Sequence, residues 1–195
     1  MHWRSRTDRY GLVAILLHWW TALAVLALFP LGLWMTGLDY YHAWYRSAPD
    51  IHRGLGVLLA ITVVLRLAWR LWDSRPDPVP GHSPTERRIA RLVHGLLYGL
   101  LLLTAWAGYL ISTADGRPVD VFGLFSVPAT IHDITNQEDL AGTAHLVLAI
   151  ALVSVAGVHA LAALKHHILD RDRTLLRMLG RGPRSDPPHS QGDTP

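Results

Sequence analysis

Two histidines fourteen residues apart, His145 and His159 in LAGTAHLVLAIALVSVAGVHALAAL, are the residues of this chain best spaced for chemistry. Fourteen residues is almost four α-helical turns, so both imidazoles leave one helix face, about 21 Å apart along its axis. The surrounding sequence is apolar enough to lie in hydrocarbon, where a polar ring is costly without a partner. Two such rings on one stripe point to a repeated ligand, and haem iron is the ligand that neutral imidazoles in membrane helices suit. The chain has no cysteine, which excludes iron–sulfur clusters, disulfides and covalent haem attachment through C-x-x-C-H. Haem held here is therefore expected to be non-covalent and of b type.

The elements that must carry these histidines follow from composition. Of 195 residues, 50% are hydrophobic and only 17% charged, too few charges for the surface of a soluble domain of this size. The apolar residues fall in blocks at 11–38, 54–72, 92–114 and 140–164, each long enough to cross about 30 Å of hydrocarbon as a helix. An all-α integral membrane protein is predicted, an antiparallel four-helix bundle with spans at about 11–38, 52–72, 90–114 and 140–165. One domain over 1–179 and a disordered Pro/Gly/Ser-rich tail over 180–195 complete the division. The first block is too long for a signal peptide and lacks a small-residue cleavage pattern, so it is expected to stay as a span.

Charge sets the orientation. Arg4, Arg6 and Arg9 precede the first block, Arg70, Arg75, Arg87, Arg88 and Arg91 flank the second connection, and Lys165, Arg171, Arg173, Arg177, Arg181 and Arg184 follow the fourth block. The other side carries Arg46, Arg53 and Arg117. By the positive-inside rule both termini are expected in the cytoplasm. The basic charge is thus a topology signal and no nucleic-acid footprint. Trp69 and Trp72 fall at the cytoplasmic boundary and Trp34 and Trp44 toward the outer one, as interfacial indoles do. Pro76, Pro78, Pro80 and Pro84 make the inner connection an extended strap that ends in a helix start at Ser83-Pro84-Thr85-Glu86. The outer connection at 115–139 is long, mixed and acidic, and part of it is expected on the membrane surface. After 164, KHHILDRDRTLLRMLG keeps helical periodicity and reads as a basic interfacial extension.

Depth then sorts the twelve histidines. His2, His42, His82, His132 and His189 fall in tails and loops, and His166 and His167 just beyond the last span, where solvated or headgroup-facing roles are expected. His18, His52, His94, His145 and His159 remain at membrane depth. His18 matches His159 in height toward the cytoplasmic side, and His52 matches His145 toward the outer side. His94 competes with His18 but is shallower and close to Arg87, Arg88 and Arg91, so a second-layer, propionate or quinone contact is the expected role. The same fourteen-residue step runs from His18 to Gly32 and from His94 to Gly108, glycines that would give clearance to a flat macrocycle. From His52 the step reaches Arg66, a charge inside a span that is expected to meet a propionate or another polar site. Arg53 is a second propionate or anion-binding candidate, and Arg117 a third.

Beyond these readings, the chain resembles the bacterial cytochrome b561 family of dihaem membrane proteins. The resemblance is carried by RYGLVAILLHWW, His52-Arg53-Gly54 with the later RLAWRLW, RLVHGLLYGLLLLTAWAGYL and above all GVHALAALKHHILDRDRTLLRML, and it covers most of residues 7–179. It implies two b-type haems, His18 with His159 at the inner one and His52 with His145 at the outer, their iron being the metal these histidines hold. It also implies electron transfer with the ubiquinone pool, by analogy to superoxide:quinone oxidoreductases, with ubiquinone as exchangeable substrate and superoxide as one candidate donor. No catalytic residue beyond the haem ligands is assigned. Two alternatives remain open from sequence: a membrane anchor passing electrons from a partner redox protein, and a solute transporter using membrane histidines.

Overall fold

The computed structural model describes residues 2–74, 76–79 and 81–181. The tail expected over 180–195 lies outside the described residues from 182 onward, with Arg184 and His189, as do Arg75 and Pro80 of the strap. Four long helices dominate, α1 Leu12–Met35, α2 Ser47–Trp72, α3 Pro84–Ser112 and α4 Gln137–Ile168, followed by the short α5 Thr174–Met178. All four long helices have the length and hydropathy to cross a membrane. Their apolar side chains point mostly outward: Leu26 is 67% exposed and Leu161 likewise 67%. Apolar surface on that scale is unsustainable in water and ordinary against lipid. The protein is an all-α integral membrane bundle.

Helix ends follow local chemistry. α3 begins at a capping box, with the Ser83 hydroxyl accepting from the Glu86 amide and the Glu86 carboxylate accepting from the Ser83 amide, and Pro84 in the first turn. α4 opens with Glu138 and Asp139 and closes with Lys165, His166 and His167, each sign placed against the opposite end of the helix dipole. α3 and α4 run beyond the apolar blocks by several residues, because capping and charged turns extend a helix past the hydrophobic stretch.

Two segments take forms that hydropathy did not indicate. The long connection before α4 contains a hairpin, β1 Val119–Val121 paired antiparallel with β2 Phe125–Val127. Phe122 and Gly123 both have positive φ at its turn. Val119 and Val121 are buried where β1 packs on α2, and the Phe122 ring lies so close to Gly54 that a Cβ there would come within 2.7 Å of it. Gly54 is therefore the seat of the hairpin. At the other end, the helical extension expected after 164 breaks: α4 stops at Ile168, Arg171 takes a left-handed conformation, and α5 folds back so that the Trp19 indole donates to the Met178 carbonyl at 2.8 Å.

Neighbouring helices pack in chain order, α1 on α2, α2 on α3 and α3 on α4, whereas α1 scarcely touches α4 and α2 and α4 have almost no direct packing. The core is a single layer at mid-height: Leu28, Leu59, Val63, Leu100, Leu101 and Leu152. Leu59 lies seven residues from both His52 and Arg66, Leu101 seven from both His94 and Gly108, and Leu152 seven from both His145 and His159. Seven residues is close to two turns, so one layer of leucines separates two levels of polar groups on the same inward faces.

The N-terminal residues are tied to the end of α2 through Asp73, whose side chain is only 4% exposed. It accepts from the Ser5 amide at 3.1 Å and from the Trp69 indole at 3.2 Å, with Arg4 3.7 Å away. Burial alone would raise the pKa of this carboxyl, but the hydrogen bonds from Ser5, Ser74 and Trp69 outweigh it and hold the pKa below the ordinary 3.8. A depressed folded-state pKa contributes stability above 3.8 that is lost as pH falls through the folded value. Asp73→Ala is expected to cost on the order of 1.5–3 kcal/mol at neutral pH. In thermal unfolding of the detergent-solubilised protein its deficit relative to the unsubstituted chain should shrink as the pH drops below 3.8.

Candidate functional site

The seam between α2 and α4 holds the first imidazole pair. His52 and His145 face each other with ring centroids 6.1 Å apart and planes at 71°. With metal–imidazole bonds of about 2 Å, two imidazoles on one metal place their centroids roughly 6 Å apart, and each ring stays free to turn about the shared axis. The Nδ1 of His145 lies 2.9 Å from the Thr104 carbonyl. A carbonyl only accepts, so Nδ1 carries the proton and Nε2 presents its lone pair. The Nδ1 of His52 is buried without a hydrogen-bond partner among the described residues. Both rings border a cavity of about 810 Å³ reached by Arg53, Gly56, Trp106 and Gly108. That volume suits a large flat cofactor.

Glycine makes the close approach of the helices to these rings possible. A Cβ at Gly32 would stand 3.0 Å from Cε1 of His52, and one at Gly108 would stand 3.0 Å from Cε1 and 3.1 Å from Nδ1 of His145. The two glycines reached by the fourteen-residue step thus pack against the rings of His52 and His145 themselves. Their expected role of clearance becomes specific: each leaves a helix backbone directly behind one imidazole.

The second level lies in the open seam between α1 and α4. His18 and His159 have ring centroids 6.4 Å apart at 73°, again the spacing of two imidazoles on one metal. His94 is also present, 5.2 Å from His159, closer than the 6.1 and 6.4 Å of the two facing pairs. Arg66 does not reach for the surface. Its Nη2 lies 2.7 Å from Nδ1 of His18, and its guanidinium stands 5.4 Å from the centre of the Tyr98 ring, with Arg70 at 6.0 Å. Because guanidinium only donates, Nδ1 of His18 is the acceptor in this arrangement.

Arg53 and Arg117 sit at the hairpin end beside a second cavity of about 450 Å³. Each is paired with a carboxylate from its own neighbourhood, Arg53 with Asp50 and Arg117 with Asp115 at 3.1 Å. Among the loop histidines, His42 is exposed and His132 pairs with Asp133 at 2.6 Å. His82 and His166 depart from the solvated roles expected of them: their side chains are 19% and 17% exposed, and both face Asp172. Sequence depth could not reveal this, because the contact joins segments eighty-four and more residues apart.

The sequence matches those of known proteins. The profile of the prokaryotic cytochrome b561 family matches residues 9–181. "Cytochrome b561 homolog 2" of Escherichia coli K12 is 46% identical over 181 residues, 93% of this chain and 96% of that protein. "Probable superoxide oxidase CybB" of Yersinia pestis is 31% identical over 176 residues, 88% of this chain and 96% of the relative. "Cytochrome b561 homolog 1" of Escherichia coli K12 is 26% identical over 174 residues, 89% of this chain and 98% of the relative. With four apolar helices enclosing facing imidazoles and a family match over nearly its whole length, the chain belongs to the prokaryotic cytochrome b561 family of haem b-binding electron-transfer proteins of the membrane.

Proposed function

We propose that the protein is a dihaem cytochrome of the bacterial inner membrane, carrying electrons between a donor on the outer side and the ubiquinone pool. The observation that carries this reading is the pair of imidazole separations, 6.4 Å for His18–His159 and 6.1 Å for His52–His145, set fourteen residues apart on α4. The end bearing Arg4, Arg6, Arg70, Arg87, Arg88, Arg91, Arg171 and Arg177 faces the cytoplasm in this reading, with both termini, and the hairpin faces outward. Residues 1–179 form the functional domain and 180–195 a cytoplasmic tail.

When bound, haem b supplies reversible one-electron exchange between ferric and ferrous iron. The chain's residues determine what else happens. His18 with His159 and His52 with His145 would hold the haem groups, and with two imidazoles committed at each level the chemistry they would supply is electron transfer and not oxygen binding. Thr104 fixes the tautomer of His145. At the other level, ligation through Nε2 of His18 needs the proton on Nδ1, so Arg66 must release that atom and turn its donors to an anion. A haem propionate is the anion of the right class, which gives Arg66 its role as a propionate clamp. His94, closer to His159 than the opposed spacing of the two facing pairs, is left as a neighbour of the inner site and a quinone contact. Arg53 is the corresponding candidate at the outer site.

Superoxide is the outer donor favoured by the likeness to a probable superoxide oxidase. Two superoxide anions each give one electron and become dioxygen, and ubiquinone takes both electrons with two protons from the cytoplasmic side to become ubiquinol. The rim offers only short-range attraction to such an anion, since Asp50 and Asp115 offset Arg53 and Arg117. That near-neutral rim is the observation favouring the second reading, an anchor that takes electrons from a partner dehydrogenase.

His145→Ala is expected to remove one low-spin haem signal and His159→Ala the other, while His94→Ala keeps both. Haem quantification with reduced-minus-oxidised spectra reads this directly, and loss of a haem from the His94 variant with retention in His18→Ala would reverse the inner assignment. Gly108→Val, which drives a side chain into the His145 ring, should lower haem content by about half under the same assay. The purified protein should reduce ubiquinone with superoxide unaided; reduction only when a dehydrogenase is added would select the anchor reading.

A further inference from the structure

At the basic end of the bundle, three side chains from three separate segments converge. His82 lies in the strap one residue before the α3 cap, His166 in the last turn of α4, and Asp172 in the turn before α5. Their donor atoms lie within 4.8 Å of one another. Nε2 of His82 is 2.7 Å from Oδ2 of Asp172, Nδ1 of His166 is 3.3 Å from the same oxygen, and the two rings are 4.7 Å apart. The other carboxylate oxygen, Oδ1, is held by the Thr174 amide at 2.8 Å, which aims Oδ2 at the imidazoles. Asp170 stands beside the group, its Oδ2 2.7 Å from Nδ1 of His166 and 2.6 Å from Lys165 Nζ.

We propose that His82, His166 and Asp172 form a binding site for a divalent first-row metal ion, with zinc the best match. Two imidazoles and one carboxylate are a donor set that zinc accepts, whereas magnesium and calcium demand oxygen ligands. Around a tetrahedral ion with bonds of about 2 Å, donor atoms stand about 3.3 Å apart. The His166–Asp172 separation already has this value, and the His82–Asp172 hydrogen bond has to open by only about half an ångström. A side-chain exposure of 19%, 17% and 11% for the three ligands leaves an entry path and room for water at the fourth position, with the Asp170 carboxylate as the nearest anionic alternative.

A metal here closes a belt across the end of the bundle. The strap is already fixed by the Asp77 amide donating to the Thr7 carbonyl at 2.8 Å and by Arg177 donating to the Asp77 carbonyl at 2.6 Å. The ion adds a link from the strap to the α4–α5 turn. From there α5 leads to Trp19, the neighbour of His18. The site therefore ties these connections to the helix that carries an inner-level imidazole, without touching either histidine pair.

The test is calorimetric titration of zinc into the full-length, haem-loaded, chelator-treated protein in detergent. One zinc ion per chain is expected, unaffected by millimolar magnesium, with affinity falling at least about tenfold in Asp172→Asn and in the His82→Ala/His166→Ala double variant. The haem spectrum and elution volume of each variant report folding. If the double variant does not fold, the near-isosteric Asp172→Asn decides. Absence of saturable zinc binding would overturn the site and leave a proton-shared His–Asp–His cluster, and unchanged affinity in the folded variants would overturn it equally.

Discussion

An imidazole in hydrocarbon has to be partnered, and this chain places five of them at that depth. The fold is organised around that constraint. α1 and α4, and α2 and α4, forgo the direct packing that would otherwise seal a bundle, and facing histidines occupy the seams instead. Dispersion attraction between the helices is concentrated in one mid-height layer around Leu59, Leu101 and Leu152. Gly32 and Gly108 let backbone stand directly behind the imidazoles at the hairpin end, where any larger residue would push a ring away from its opposite number.

The two levels are built from the same spacing and differ in their polar neighbours. At the hairpin end His145 has a carbonyl as its partner, which leaves its outer nitrogen ready to ligate. At the basic end the guanidinium of Arg66 donates to Nδ1 of His18, so the proton of that ring lies on Nε2. Under the proposed function, loading of the inner level is thereby coupled to the arrival of a carboxylate-bearing cofactor, while the outer level is poised in advance. The difference arises from a single arginine on α2, two turns below a leucine of the core layer.

Much of this was legible in the chain. Block hydropathy foretold four spanning helices, Ser83-Pro84-Thr85-Glu86 marked the start of α3, position within the spans singled out His18, His52, His94, His145 and His159, and the fourteen-residue step from them reached Gly32, Arg66 and Gly108. These signals are local or periodic, so they survive without knowledge of neighbours. The hairpin at Val119–Val127 was not legible, because its stability comes from Phe122 seating on Gly54, a contact between distant segments. The break after Ile168 was hidden for a similar reason: α5 is held by Trp19 and Asp172, while the periodicity of its own residues suggested one continuous helix.

By itself the sequence determined the number of spans, the spacing of the imidazoles along each helix and the segregation of basic residues to one end, since hydrophobic length, helical rise and charge are properties of the chain in order. Only the tertiary structure decided which nitrogen of His145 is protonated, what Arg66 touches, that His94 lies nearer His159 than His18 does, and that His82, His166 and Asp172 meet. Each of these depends on distances of a few ångströms between segments far apart in the chain, and hydrogen-bonding roles change over such distances although residue identities do not.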